Sequence, residues 1–212
     1  MQVLLHVFDQ VGTNVIEVER NGELYKIRLS EACAAPPEVV YGLLSDLSTH
    51  MEWGGSWHPT RTQRLLSMES PKGPATVGVE FASTGSAGGG CWYDRSRVTA
   101  ATSPTVFEFE TRGQLRDGHG EERMLLHAVH RYGLSADHGG TRLTYSCTAK
   151  LELRGTGGDH HPRLPAVIFN LVVPSVIERG TRNLVRMAEE RAGLGSLAGV
   201  PAVPVELLPE GA

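Results

Sequence analysis

LPAVIFNLVVPSVIERGTRNLVRMAEERA, running from Leu164 to Ala192, decides how the chain folds. Its second half sets Ile177, Gly180, Thr181, Leu184 and Ala188 at steps of three and four, so small and apolar residues share one helical stripe. Glu178, Arg179, Arg182, Arg186, Glu189 and Glu190 take the other side. Glu178 with Arg182 and Arg186 with Glu190 are spaced four apart, pairs worth about 0.3–0.5 kcal/mol each. Gly193 and Gly195 are stop signals. The first half, Leu164 to Ile177, is apolar nearly all round and carries no charge. Such a surface is buried on two sides, or has one side on a core and the other on a cavity or partner. It is too short to cross a bilayer, which takes about 20 apolar residues. The spacing predicts one long helix, bent at Pro174, with the rest of the chain as a sheet around it.

Most of the chain upstream alternates with a period of two. In residues 142–154, Leu143, Tyr145, Cys147, Ala149, Leu151 and Leu153 alternate with Arg142, Thr144, Ser146, Thr148, Lys150 and Glu152. Its hairpin partner is 122–134, across Asp137-His138-Gly139-Gly140, with Met124, Leu126, Ala128, His130 and Tyr132 facing inward. Val77, Val79 and Phe81 share one face, Phe107 and Phe109 another. Nearer the start, residues 3–8 read as a short strand. Ile16 and Val18 alternate with charges, and Asn21-Gly22 turns the chain back into Leu24 to Cys33. That added hairpin adds a strand or covers a sheet edge, the place where a homodimer contact would form. Ala34-Ala35-Pro36-Pro37 opens a helix with Val39, Val40, Leu43, Leu44 and Leu47 on its apolar face. Ser48 is placed to cap a second short helix that Gly54-Gly55 ends. Residues 194–212, with Pro201, Pro204 and Pro209, read as an irregular tail. Strands segregated from helices give α+β, an antiparallel sheet of six or seven strands with helices on one face.

Composition narrows the classes. The 212 residues suffice for one sizeable domain, and a net charge of -4 gives no basic field for nucleic acid. The 3 cysteines, Cys33, Cys91 and Cys147, lack metal spacing and read as buried thiols in a reducing compartment. The first residues lack the basic flank and apolar run of a signal peptide, so a cytoplasmic protein is expected. His127 and His130 are three apart on a strand and project to opposite faces. His160 and His161 are adjacent in a loop, and no carboxylate or cysteine cluster accompanies them, so no metal is expected.

Ala-Pro-Pro-Glu-Val-Val-Tyr (35–41), followed by Leu44-Ser45-Asp46 and Glu52-Trp53, resembles the opening of the START-like, SRPBCC superfamily. Val77-Gly78-Val79-Glu80-Phe81, Trp92 leading to Arg97-Val98-Thr99, Pro104 with Phe107-Glu108-Phe109-Glu110, and Gly140-Thr141-Arg142-Leu143-Thr144-Tyr145 match further along. The resemblance spans about residues 24–192. It implies the helix-grip fold, a curved antiparallel sheet around a long C-terminal helix with a cavity between. On that reading residues 1–193 are one domain, with residues 1–22 as the extra hairpin. The superfamily holds enzymes, carriers and receptors, so the fold alone does not settle the function.

The candidate site residues follow from parity and ring chemistry. Trp53, Trp57, Phe81, Trp92, Phe109 and Tyr145 are expected to meet a mostly apolar ligand, and the same rings would equally serve as core. Trp53, Trp92 and Tyr145 would border one pocket. Asp94 shares the parity of Trp92 and Val98 and would point inward, where a carboxylate is costly unless paired or protonated. His130 is its candidate partner, unless Asp94 lies at the strand's open end or the parity slips at a bulge. The leading expectation is binding of a lipid-, isoprenoid- or polyketide-like molecule without a cofactor. One rival is a polyketide cyclase or dehydratase using Asp94, His130 and Tyr145; another is a protein-interaction module without a ligand.

Overall fold

The structure is a computed structural model that describes residues 3–8, 15–56, 63–87, 89–154 and 163–194. Among these residues nine strands form one antiparallel sheet: β1 Val3–Phe8, β2 Val15–Asn21, β3 Leu24–Cys33, β4 Gln63–Glu69, β5 Glu80–Ala87, β6 Gly90–Thr102, β7 Val106–Arg116, β8 Glu122–Asp137 and β9 Gly140–Leu153. Helix α1 (Pro37–Ser45) follows β3, and helix α2 (Arg163–Arg191) follows β9. The strand order is β1-β2-β3-β9-β8-β7-β6-β5-β4. The architecture is therefore α+β with a long C-terminal helix. The sheet is wider than the six or seven strands the sequence suggested, because the N-terminal segment adds two. Val18 opposes Ile27 and Leu5 opposes Val18, so the extra hairpin continues the sheet beyond β3.

Local chemistry explains the elements. Gly22 takes φ 62 in the Asn21-Gly22 turn, a conformation glycine adopts without steric cost. Pro37 sits in the first turn of α1, where a missing N–H leaves nothing unpaired. Two helical turns follow instead of a second capped helix: a 3-10 turn, Leu47–Thr49, and a π-helical turn, Glu52–Ser56. Asp46, not Ser48, is the cap; its Oδ1 accepts from the Ser48 N–H at 3.2 Å and from the Ser48 hydroxyl at 2.6 Å. Gly54-Gly55 does not end the segment, which runs through to Ser56. Val77 precedes β5 and is 63 % exposed, so it does not share the buried face of Phe81.

The segment from β3 to β4 must cross from the middle of the sheet to its far edge. On the way α1 lies against β7, β8 and β9, with Tyr41 edge-on to Phe107 at 6.3 Å, and closes one end of the inner face. The second half of α2 buries Leu184, Met187 and Ala188. It is tethered at two points. Glu189 Oε1 accepts the Ala34 N–H at 2.9 Å, and Asn183 Nδ2 donates to the Trp53 carbonyl at 3.2 Å. Leu143, Tyr145, Ala149, Phe107 and Phe109 are buried with this stripe, as their parity requires. Pro174 lies inside α2. Cys33 and Cys147 are buried, but Cys91, at the outward parity of β6, is exposed. Among the described residues no helix is long and apolar enough to cross a membrane. The tail after Leu194 lies outside the described residues.

Candidate functional site

Strand register divides the inner face of the sheet into five rows. At one end Gly85, Trp92, Leu115, Met124 and Leu153 lie side by side across β5, β6, β7, β8 and β9. Next come Ser83, Asp94, Gly113, Leu126 and Leu151, then Phe81, Ser96, Thr111, Ala128 and Ala149. The fourth row holds Val98, Phe109, His130 and Cys147, and the fifth Ala101, Phe107, Tyr132 and Tyr145. The bulge in β6 falls between Val98 and Ala100, beyond Asp94, so the inward parity of Asp94 is kept.

The fourth and fifth rows form the closed end. The His50 ring lies tilted 4.5 Å from that of Trp53, and its Nε2 lies 2.9 Å from the Leu44 carbonyl. Trp53 Nε1 donates to Thr49 Oγ1 at 3.2 Å, and its ring is 6.2 Å from Tyr132. Phe81 meets Phe109 edge-on at 5.3 Å, and His130 stacks on Phe109 at 4.8 Å. His130 Nδ1 is 2.8 Å from the Tyr145 hydroxyl. Burial holds both histidines down to about 4, so both rings are neutral near pH 7. Burial also pushes the Tyr145 hydroxyl well above its usual range and the Cys147 thiol up to about 11.

The first two rows differ. Trp92, Asp94, Leu115, Met124 and Leu126 face the interior but are only half-buried. Asp94 receives a hydrogen bond from Ser83, and beside it the Ser96 and Thr111 hydroxyls meet at 2.9 Å in a buried position. Burial raises the Asp94 carboxyl to about 7, outweighing the Ser83 hydrogen bond, which acts in the opposite direction. Two glycines make room here. A Cβ on Gly85 would collide with the Trp92 ring, and one on Gly113 with the Asp94 carboxyl. Because the folded pKa of Asp94 lies above its unfolded value of 3.8, ionising it opposes folding. Stability linked to this group is complete below 3.8 and is lost as pH rises through about 7. Asp94→Asn is therefore expected to stabilise the protein by about 1–3 kcal/mol at about pH 8, with the difference closing towards pH 4. Urea unfolding curves at both ends of that range check it.

Asp94 and His130 are not brought together. They lie two rows apart, about 13 Å along the strands, and two strands across; His130 takes Tyr145 as partner and Asp94 takes Ser83. Trp53 and Tyr145 converge on Tyr132, at 6.2 and 5.0 Å, whereas Trp92 sits at the opposite end of the inner face. The single three-ring pocket expected from parity is thus two regions. Trp57 and the His160-His161 pair lie outside the described residues. Sequence reasoning missed His50, which contacts Trp53, Phe81 and Phe109; its place in a helical turn gives no strand parity to read. Ser83, Gly85 and Gly113 were also missed. Their signal is a cross-strand register that only the fold supplies.

On the outer face a depression of about 400 Å³ is lined by Glu17, Arg28, Ser30, Arg131, Thr144 and Ser146. Two arginines and one glutamate line it, Arg131 is ion-paired with Glu108 at 2.8 Å, and most of the lining belongs to the solvated side of the sheet, so the inner face is the better candidate. His127 also faces outward, 2.8 Å from Glu110. Among the described residues no group of three or more His, Cys, Asp or Glu is placed to hold a metal ion.

No family model matches the chain, and no curated protein matches it. Solved structures do. An uncharacterized protein from Rhizobium leguminosarum matches with TM-score 0.59 at 14 % identity, over 79 % of this chain and 96 % of that one. A conserved protein from Geobacillus kaustophilus matches with TM-score 0.53 at 14 % identity, over 78 % and 95 %. Ara h 8.0201 matches with TM-score 0.51 at 15 % identity, over 79 % and 99 %. At these identities the likeness is one of fold.

Proposed function

We propose that the chain is a START-like, helix-grip domain that holds a small, mostly apolar molecule between the inner sheet face and α2. A lipid-, isoprenoid- or polyketide-like compound fits this description. The observation that carries the reading is the half-buried apolar surface of Trp92, Leu115, Met124 and Leu126, turned inward beside a largely buried aromatic end. Inward apolar side chains left partly uncovered are what a ligand would cover, and mostly apolar linings with a few convergent polar groups mark small-molecule sites. The resemblance to SRPBCC sequences and the shared fold support the same reading. In this reading Trp53, Phe81, Phe109 and Tyr145 form the floor and Trp92 the mouth.

Native mass spectrometry of the purified protein should reveal a co-purified apolar molecule, and N-phenyl-1-naphthylamine should bind and fluoresce. Trp92→Ala should weaken that binding about tenfold or more, as for a buried aromatic anchor. If neither a co-purified molecule nor fluorophore binding is found, the binding function is wrong and an interaction module takes its place. The 2.8 Å contact between His130 and Tyr145 favours a second reading, a cyclase or dehydratase that positions a reactive chain over this neutral pair. In that case Tyr145→Phe would lower turnover of a polyketide-like substrate far more than its binding.

A further inference from the structure

We infer that the bound molecule carries a positively charged nitrogen group on its apolar body, and that Asp94 and Trp92 take up that group at the open end of the inner face. The inference rests on the binding function proposed above and names the class of ligand.

Three observations carry it. Trp92 and Asp94 are same-face neighbours two residues apart on β6, so the indole and the carboxyl serve one short stretch of the inner surface. Each lies directly opposite a glycine in an adjoining strand, Gly85 on β5 and Gly113 on β7. Glycine inside a strand weakens it, and neither of these two adopts the left-handed conformation that would call for glycine. What both provide is space, filled at one position by an indole and at the other by a carboxyl. Side chains at 85 and 113 would force both groups out of this arrangement.

The third observation is charge. Across β5, β6, β7 and β8 the inward positions hold no Lys or Arg; the neighbours of Asp94 are Ser83, Trp92, Ser96, Gly113 and Leu126. The Ser83 hydroxyl occupies one acceptor site of a carboxylate that has about four. A carboxylate in such surroundings is costly unless an opposite charge meets it. An alkylammonium head would donate charge-assisted hydrogen bonds to Asp94, and the indole would attract the same cation through its ring face. The alkyl body would then cover Leu115, Met124 and Leu126. An anionic head of equal length would meet repulsion from Asp94, and a hydroxyl head would meet neither gain nor repulsion of that size.

The test compares decylammonium, decanol and decanoate as displacers of N-phenyl-1-naphthylamine at about pH 8, where free amines of this kind remain protonated. Wild-type protein should bind decylammonium about tenfold or more tightly than decanol, and decanoate most weakly. Asp94→Asn should erase the preference for decylammonium and leave decanol within about threefold. Asp94→Ser, which removes the charge with a smaller side chain, should do the same if the asparagine variant folds poorly. Equal binding of the three probes by wild type, or an ammonium preference that survives both substitutions, overturns the inference while leaving apolar binding intact. Failure of the fluorophore and all three probes to bind overturns the binding function and the inference together.

Discussion

Acidification from about pH 7 to pH 4 is expected to remove about 3 kcal/mol of folding free energy through His50 alone. The imidazole is packed among Trp53, Phe81 and Phe109, with the residue 5 % exposed, and its Nε2–H donates to the Leu44 carbonyl. Protonation would place a charge in a ring-lined site, which is why its pKa falls from 6.5 to about 4. Between those values the unfolded chain binds the proton and the folded chain does not. The contribution is present in full above 6.5 and is lost as pH falls through about 4. His130 acts in the same direction. Asp94 acts in the opposite one, because protonation relieves its burial, so the wild-type curve partly cancels. Urea unfolding of Asp94→Asn at several pH values should expose the whole loss, and Asp94→Asn with His50→Gln should be flatter by roughly the His50 share. Identical slopes for the two variants would show that His50 is not held neutral. Glu108 and Glu152 have pKa values lowered below 4.5, so their contribution starts to fall only near 4.5, at the acid end of the histidine window.

Leu184→Ala should cost roughly 2–5 kcal/mol, the range for emptying a fully buried leucine site, and lower the melting temperature by about 4 °C or more. Leu184 is 0 % exposed and lies in the α2 stripe with Met187 and Ala188. Alanine is the strongest helix former, so the loss measures packing and not helix propensity. The Glu189 and Asn183 tethers flank the site, which limits how far α2 can settle into the space. Arg186→Ala, on the exposed side of the same helix, is the control and should move stability by no more than about 0.5 kcal/mol. Circular dichroism melts that coincide with wild type for Leu184→Ala would mean that another face of α2 meets the sheet.

Much of the architecture could be read from the residues, for a physical reason. Long strands with one wet face print a period of two, and β9 does so from Thr141 to Leu153 almost without a break. The Asn21-Gly22 turn and the α2 stripe are equally local signals. The polar arrangement was less readable. Period two gave Asp94 and His130 the right face but not their separation, because parity says nothing of register between strands that are not neighbours. Only the pairing of Asp94 with Gly113 and of His130 with Phe109 shows that they lie in different rows. The helical turns before β4 escaped for another reason. Asp46 and Ser48 are both good caps, and the choice between them rests on where the chain leaves α1.

The strand order contains a single seam. From β4 to β9 each strand pairs with the next in sequence, and so do β1, β2 and β3; only the pairing of β3 with β9 joins the two runs. The six-strand run needs no distant partner to begin forming, since each hairpin closes a short loop. The seam joins Cys33 to Thr141 and Leu24 to Lys150, and closing it gathers more than a hundred residues into one loop. That entropy is spent before any seam contact repays it, so the seam is expected to close last, after the β4–β9 hairpins have paired. Until β3 arrives, β9 is an open edge of alternating apolar residues, able to pair with β3 of another copy. The topology that builds the inner face therefore also sets the moment at which a newly made chain is most exposed to domain exchange.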